Sequence, residues 1–302
     1  MGRLAAAARW LLSGALLGSC SGFFWGSLPA SLAGPAAAAP DLEALLQAYR
    51  ERRPAAAPAL SPEEALRWQR RWLQARAALL GPPVGYKAAL TSPAAQRRFG
   101  ARGPVWGALF RPMLRPGPEA EVGLGEGARL LVEADLLVRV GDPGALAAAR
   151  TREELAGALD AVLPFVELPD LLFAPGVPVD AALIAATGAG ARLGVVGEPV
   201  PLRGSGAERA ARLGAVRVMV RDGEGRLLGR GSADALLGHP LEAVRWLRDA
   251  LAAEGIALER GQLLSLGTLA RPVPAREGLV VRATYRGLDP TGPVTLTVHI
   301  LP

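Results

Sequence analysis

The chain has 302 residues, is 50% hydrophobic and 21% charged, and carries a net charge of +6. Those proportions exclude a disordered chain and describe one long enough to bury a sizeable core. A single cysteine, Cys20, and two histidines, His239 and His299, exclude a disulfide within the chain, a multi-cysteine zinc site and a histidine-rich metal site. Any bound metal must therefore take mainly oxygen ligands, which points to Mg²⁺, Mn²⁺ or Ca²⁺. The basic balance does not imply nucleic acid as a partner. The arginines are scattered singly and in pairs, often beside acids as at Arg150 and Glu154, with no basic stripe interleaved with aromatics.

Residues 1–40 read as a targeting segment. Arg3 and Arg9 make a basic start, and no charge follows from Trp10 to Pro40. Three readings stay open: a lipoprotein signal with Cys20 as the lipid acceptor after Leu17-Gly18-Ser19, ordinary cleavage within Ala36–Ala39, or an uncleaved anchor over Trp10–Leu28. All three imply export, with the membrane touched only through this segment. Residues 41–83 read as a small helical region. Leu42, Leu45, Leu46 and Tyr49 share one helical face, and Pro54 and Pro58 interrupt it. Ser61-Pro62-Glu63-Glu64 opens a second helix, whose buried side is expected to carry Leu66, Trp68, Trp72 and Leu73.

From residue 84 to 302 short apolar runs alternate with Gly/Pro turns. Strands are expected over Val105–Phe110, Leu130–Val140, Val162–Leu168, Val195–Val200, Val216–Val220, Leu263–Leu269, Leu279–Tyr285 and Val294–Leu301. Helices are expected over Thr151–Leu159, where Thr151 and Glu154 form a capping box, and over Leu241–Glu254. Strands outnumber helices and the spacing is irregular. That argues for an α+β, mostly β catalytic domain rather than a regular βα repeat.

Within the run Leu130–Val138, Glu133 and Asp135 are two residues apart, so on a strand they project from one face. Side by side they repel unless a cation or a proton lies between them. Glu167 interrupts a second apolar run, far enough along for a return strand. Three carboxylates on two strands suit a hard divalent ion; acids turned to solvent on the outer side of the strands are the alternative. Lys87 is the only lysine among 34 cationic residues. A lysine amine can be tuned to release its proton, whereas a guanidinium holds it.

Five segments, taken in order, resemble the 2-keto-4-pentenoate hydratases of the fumarylacetoacetate hydrolase superfamily. They are Gly85-Tyr86-Lys87-Ala88-Ala89-Leu90-Thr91-Ser92, Val132-Glu133-Ala134-Asp135, Leu163-Pro164-Phe165-Val166-Glu167-Leu168-Pro169-Asp170, Leu237-Gly238-His239-Pro240-Leu241 and Gly261–Leu269. The resemblance implies a fumarylacetoacetate-hydrolase-like domain, Mg²⁺ or Mn²⁺ on Glu133, Asp135 and Glu167, and Lys87 in the active site as catalytic residue, orienting a carboxylate or moving a proton. It implies a small 2-keto acid as substrate and a homo-oligomer as the assembly. Thr268 and Thr187 are candidate substrate contacts, with turn capping the alternative for Thr268. Asp170 supports the metal ligands from behind or caps a turn, and His239 is structural at a helix start. The implied reaction adds water to a 2-hydroxy-2,4-dienoate. A related decarboxylase or C–C hydrolase, or a non-catalytic exported binding protein, are the alternatives. Three departures bear on that choice. Asp135 stands where the family usually has Glu, Val105 where it often has Asp, and Thr187-Gly188-Ala189-Gly190 where it has a more polar stretch.

Overall fold

The computed structural model describes residues 41–302, which form one compact unit; the targeting segment read at residues 1–40 lies outside the described residues. None of the described helices is long and apolar enough to cross a membrane. The chain opens with α1 (Leu42–Glu51), capped by the Asp41 carboxylate, which accepts from the Ala44 amide. Helix α2 (Pro62–Leu80) starts at the expected Ser61/Glu64 capping box and stops at Gly81.

The buried face of α2 differs from the expected one. Ala65, Gln69, Trp72 and Arg76 are buried, while Leu66 is 45% exposed. These four follow helical spacing as well as the apolar set does, so an apolar count alone cannot see a stripe whose inner members are polar. The Gln69 amide is satisfied there by donating to the Trp106 carbonyl at 2.6 Å.

Beyond α2 follow β1 (Pro83–Ala89), α3 (Pro93–Phe99), β2 (Val105–Phe110), β3 (Leu114–Pro116), β4 (Glu119–Gly123), β5 (Leu131–Val140), α4 (Pro143–Ala148), α5 (Arg152–Gly157) and β6 (Leu159–Leu168). The rest comprises α6 (Ala181–Ala186), β7 (Leu193–Val196), β8 (Val200–Pro201), α7 (Gly206–Gly214), β9 (Arg217–Asp222), β10 (Leu227–Ser232), α8 (Pro240–Ala253), β11 (Leu263–Thr268), β12 (Val273–Pro274), β13 (Val280–Asp289) and β14 (Gly292–Leu301). The architecture is α+β, as expected. The strand expected over Val195–Val200 is split between β7 and β8. Pro199 has no amide to give, and the Gly197 amide turns to the Pro164 carbonyl. Helices α3, α4, α6 and α7 were not singled out by periodicity. They are short, and each is fixed by a side-chain cap, from Ser92, Asp142, Asp180 and Ser205.

The larger sheet runs β2-β1-β11-β5-β6-β7-β3, with β12 added on β5 and β8 on β6. The smaller runs β10-β9-β13-β14-β4. On β9 alternate residues are buried, with Val218 and Val220 in the core and Arg217 and Arg221 outside. The Tyr285 hydroxyl of β13 donates to the Phe165 carbonyl of β6 at 2.6 Å and ties the two sheets together. In the larger sheet the pleat separates two faces. Ala134, Leu136, Val138, Val162 and Val166 enter the main core. The opposite face carries Leu137, Leu163 and Phe165 in a smaller apolar cluster, and on this face the charged residues stand.

Candidate metal and active site

Strand register, not sequence proximity, assembles the site. β5 and β6 pair antiparallel with Glu133 opposite Glu167, β11 and β5 pair with Thr268 opposite Asp135, and β1 and β11 pair parallel with Lys87 opposite Ser265. Directly opposed residues share a face, so Glu133, Asp135, Glu167, Ser265 and Lys87 converge. The three carboxylates each offer an oxygen, and these atoms all lie within 4.8 Å of one another. Asp135, Glu167 and Lys87 are buried, and Glu133 is half-buried.

The polar contacts are few for so much charge. Lys87 Nζ lies 2.5 Å from Glu167 Oε1 and donates to the Ala189 carbonyl at 3.0 Å. Ser265 Oγ donates to Asp135 Oδ2 at 2.9 Å. Asp135 Oδ1 and both Glu167 oxygens are buried without an aligned hydrogen bond, so the amine's hold on Glu167 is a charge contact. Orphaned acceptors of this kind are costly unless something fills the space between them. Three carboxylates against one ammonium leave two negative charges over, which one divalent ion neutralises. Oxygen donors at this separation fit Mg²⁺ or Mn²⁺.

The protein alone holds these groups away from their ordinary ionisation. Burial, then the neighbouring Glu167, pushes the Glu133 carboxyl up to about 7, and burial raises Asp135 well above the usual carboxylate range. Burial pulls the Lys87 amine down, but Glu167, Glu133 and Asp135 together outweigh it and leave it raised, so the amine stays an ammonium.

The wall facing Lys87 is backbone. Gly188, Ala189 and Gly190 follow one another in the left-handed region, at φ 65°, 57° and 66°, which turns the Ala189 carbonyl toward the amine. Gly107 pairs with Lys87 across β2 and β1, and a Cβ on it would come within 2.0 Å of the Gly188 carbonyl oxygen. Only glycine lets these two backbones meet. A second close approach occurs at Gly267, at φ 101°, whose Cβ would lie 2.5 Å from Thr91 Oγ1.

The remaining expected site residues are placed as follows. The Thr268 hydroxyl donates to the Ala270 carbonyl at 2.9 Å while the residue stands opposite Asp135. The Thr187 hydroxyl donates to the Leu183 carbonyl at 2.8 Å, closing α6. Asp170 accepts three backbone amides, from Ala128 at 2.9 Å, Arg129 at 2.8 Å and Leu172 at 3.0 Å, and so fixes the chain between β4 and β5 to the end of β6. His239 Nδ1 accepts from the Leu241 amide at the start of α8. Sequence reasoning did not single out Ser265, although it lies within a quoted segment; as a polar residue in an otherwise apolar strand, it carried a usable signal.

The two-sheet α+β architecture is fumarylacetoacetate-hydrolase-like in fold, and one face of its larger sheet carries three acids beside a buried lysine. The chain is similar in fold to 4-oxalocrotonate decarboxylase from Pseudomonas putida G7, solved with magnesium and adipate. The TM-score is 0.72 at 22% identity, over 86% of this chain and 95% of that one. It is also similar in fold to fumarylpyruvate hydrolase from Pseudomonas aeruginosa, solved with Mn²⁺ and pyruvate, with a TM-score of 0.50 at 14% identity over 72% and 88% of the two chains. No protein-family model matches the chain. In sequence it is 31% identical over 206 residues to a 2-keto-4-pentenoate hydratase of Paraburkholderia phymatum, 68% of this chain and 75% of that protein. The chain belongs to the 2-keto-4-pentenoate hydratase family, a family of enzymes.

Proposed function

We propose that this protein is a divalent-metal-dependent hydratase that adds water to a 2-hydroxy-2,4-dienoate, giving a 4-hydroxy-2-keto acid, with Mg²⁺ or Mn²⁺ held by Glu133, Asp135 and Glu167. The observation that carries the reading is the convergence of three carboxylate oxygens within 4.8 Å beside the buried Lys87 amine. The magnesium and Mn²⁺ in the two fold neighbours and the hydratase relative support it. When bound, the ion supplies positive charge against which negative charge on the oxygens of a 2-keto acid is stabilised.

The chain's own residues do the rest. Asp135 and Glu167 are fixed by the pleat, and Ser265 orients Asp135. Lys87 Nζ presents an ammonium that grips the substrate carboxylate or delivers a proton as the dienol becomes a conjugated ketone; water then adds at the far alkene carbon and a proton returns beside the ketone. Leu137, Leu163 and Phe165 keep bulk water from the floor. Thr268, opposite Asp135, contributes the polar part of the substrate wall, Thr187, whose hydroxyl proton goes to the Leu183 carbonyl, meets substrate only as an acceptor, and Asp170 holds the strand ends from behind.

A second reading, decarboxylation of a related β-dicarbonyl acid, uses the same stabilised charge and is supported by the likeness in fold to 4-oxalocrotonate decarboxylase; Val105, which stands where the resemblance calls for an acid, favours instead a binding protein without turnover. Loss of dienol absorbance from 2-hydroxypenta-2,4-dienoate with Mn²⁺ present tests the hydratase reading. CO₂ release from 4-oxalocrotonate in place of that loss replaces it with the second, and ligand-induced thermal stabilisation without turnover of either substrate replaces both with a binding protein. Export through residues 1–40 belongs to the same proposal, supported by Arg3, Arg9 and the uncharged stretch after them. Metabolic labelling with palmitate separates the lipoprotein from the cleaved form. A homo-oligomer is part of the proposal too, and light scattering of the purified protein tests it.

A further inference from the structure

The outer face of the smaller sheet carries charge that the proposed reaction does not use. Strands β9 and β13 alternate, with Val218, Val220, Ala283 and Tyr285 buried and Arg217, Arg221, Arg282 and Arg286 exposed. The register sets like against like. Arg282 stands opposite Arg221 and Arg286 opposite Arg217, while Arg230 of β10 stands opposite Met219, which lies between the two pairs. Directly opposed side chains start about 5 Å apart, and like charges so placed destabilise a sheet. Among the described residues the ion pairs of this sheet lie at its margins, and none includes any of these five arginines. They join Arg226 to Asp222 and Glu224 in the β9–β10 turn, and His299 to Glu119 at the β14–β4 edge. Arg217, Arg221 and Arg282 donate to the carbonyls of Val216, Gly225 and Gly223, which carry no net charge to offset theirs.

Apolar side chains stand among these charges. Of the five large apolar side chains exposed among the described residues, three belong to this face: Met219, Leu227 and Leu301. Leu227 is opposite Arg221, and Leu301 continues the outward series of β14 beyond Thr297 and His299. A face that mixes guanidinium with exposed apolar groups meets two demands of a bilayer surface at once. Phosphate headgroups take the charge, and the boundary with the acyl chains takes the apolar tips. Duplex nucleic acid is a poorer match, since the face offers no Phe, Tyr or Trp for a base to stack on and no helix to enter a groove. A second copy of the chain is a poorer match too. Two such faces repel, and Glu119 and Glu121 on the far edge are too few to offset five arginines.

We propose that this face docks the protein on an anionic phospholipid surface. The docking is independent of the metal and Lys87 site. The export proposed for residues 1–40 brings the chain to such a surface, and a basic patch beside a lipid attachment is the pairing of signals that makes membrane binding stable.

The test sediments the full chain with vesicles of phosphatidylcholine alone and with vesicles of equal parts phosphatidylcholine and phosphatidylglycerol. Partition onto the anionic vesicles should be about a hundredfold higher, and the excess should shrink as salt is raised. Arg217→Gln with Arg286→Gln should cut that excess about tenfold, as should Arg221→Gln with Arg282→Gln. Both double variants should melt no lower than the parent, because each relieves an opposed like-charge pair. Should one pair fail to fold, the other carries the test. Arg3 and Arg9 are present in every variant, so the differences read the face. The same charge removed outside this sheet, by Arg97→Gln with Arg98→Gln on α3, should leave the excess within about twofold. Equal partition onto the two kinds of vesicle overturns the proposal. So does an equal loss in the α3 variant, which makes net charge the cause. Tighter binding to a duplex DNA oligonucleotide than to the anionic vesicles, lost in the same pairs, replaces the lipid with nucleic acid. A fall in assembly mass by light scattering in those pairs, without vesicles, replaces it with a second copy of the chain.

Discussion

Two groups of buried charge lie on either side of the Gly107–Gly188 contact, and they are opposite in sign. On one side Glu133, Asp135 and Glu167 face a single amine, an excess of negative charge. On the other, Arg76 and Arg192 flank the Tyr49 ring, Arg192 at 4.2 Å and Arg76 at 4.8 Å from its centre, with no carboxylate among the described residues to meet either. Arg192 is satisfied by backbone, donating to the Tyr49 carbonyl at 2.9 Å and the Glu126 carbonyl at 2.6 Å. Arg76 and Trp72 keep free donors, as Asp135 and Glu167 keep free acceptors. Unpaired buried acceptors beside uncancelled negative charge suit a bound cation on the first side, whereas on the second the cavity beside Arg76 and Trp72 has room for about one water.

The largest expected effect breaks the acid side. Glu167→Ala removes the carboxylate that lies against Lys87 and leaves two acids to hold the ion. Mn²⁺ affinity measured by calorimetry should fall about a hundredfold or more, because the ion's charge is then under-compensated and the freed amine repels it. Unchanged affinity in Glu167→Ala, or in Glu133→Ala, would show that the three oxygens do not act as one site.

Next in size is the exchange of one cation for another at Lys87. Lys87→Arg keeps the charge but replaces a compact ammonium by a wide planar fork that does not give up its proton. The amine is buried against Glu167 and the Ala189 carbonyl, where the wider fork must displace its neighbours. Turnover of the dienol should fall about a hundredfold or more if Nζ moves a proton, and far less if it only grips a carboxylate. Mn²⁺ affinity within severalfold of the parent is the accompanying expectation, since the acids stay in place. A fully active Lys87→Arg would reduce the lone lysine to an accident of composition.

The two sides were not equally legible in the sequence. The acids announced themselves because they interrupt apolar strands, and period-two spacing fixes which residues share a face; Glu133 and Asp135 needed nothing more, and Glu167 stood out by interrupting the next apolar run. Arg76 carried no such mark. On a helix rich in arginine, one guanidinium reads like the others, and its burial depends on Trp72 and Tyr49 meeting edge to face across α1 and α2, at 5.3 Å between ring centres. Strand existence mostly followed from the apolar runs, but β1, which carries Lys87, and the short strands β3, β4, β10 and β12 did not, because two to seven residues pair only where a neighbour is already in place. Nor did sequence reveal that Asp170 spends its oxygens on three amides, since that use depends on where Ala128 and Arg129 arrive in space.

The smallest effect sharpens the comparison by measuring what the acid side costs the fold. Glu133 is held up to about 7 and Asp135 well above its ordinary value, chiefly by burial. Both are acids whose folded pKa exceeds the unfolded one. Below the unfolded value both states are protonated and nothing changes; above it the unfolded chain releases a proton that the folded chain keeps. Stability of the metal-free protein should therefore decline as pH rises from about 4.5 through 7, by up to roughly 3 kcal/mol from Glu133 alone. Lys87, raised from an already high value, stays charged across this window and adds no slope. His239, lowered chiefly by burial, slopes the other way below its ordinary value, so the informative quantity is a difference between variants. Melting temperatures in EDTA should fall between pH 5 and pH 8 more steeply for the parent than for Glu133→Gln, which has no proton to lose there. With saturating Mn²⁺ the parent's slope should flatten or reverse, because the ion takes the ionised carboxylates and binds more tightly as pH rises. Identical slopes for parent and Glu133→Gln in EDTA would mean that the acids are already neutralised within the protein and that the pull toward a cation is absent.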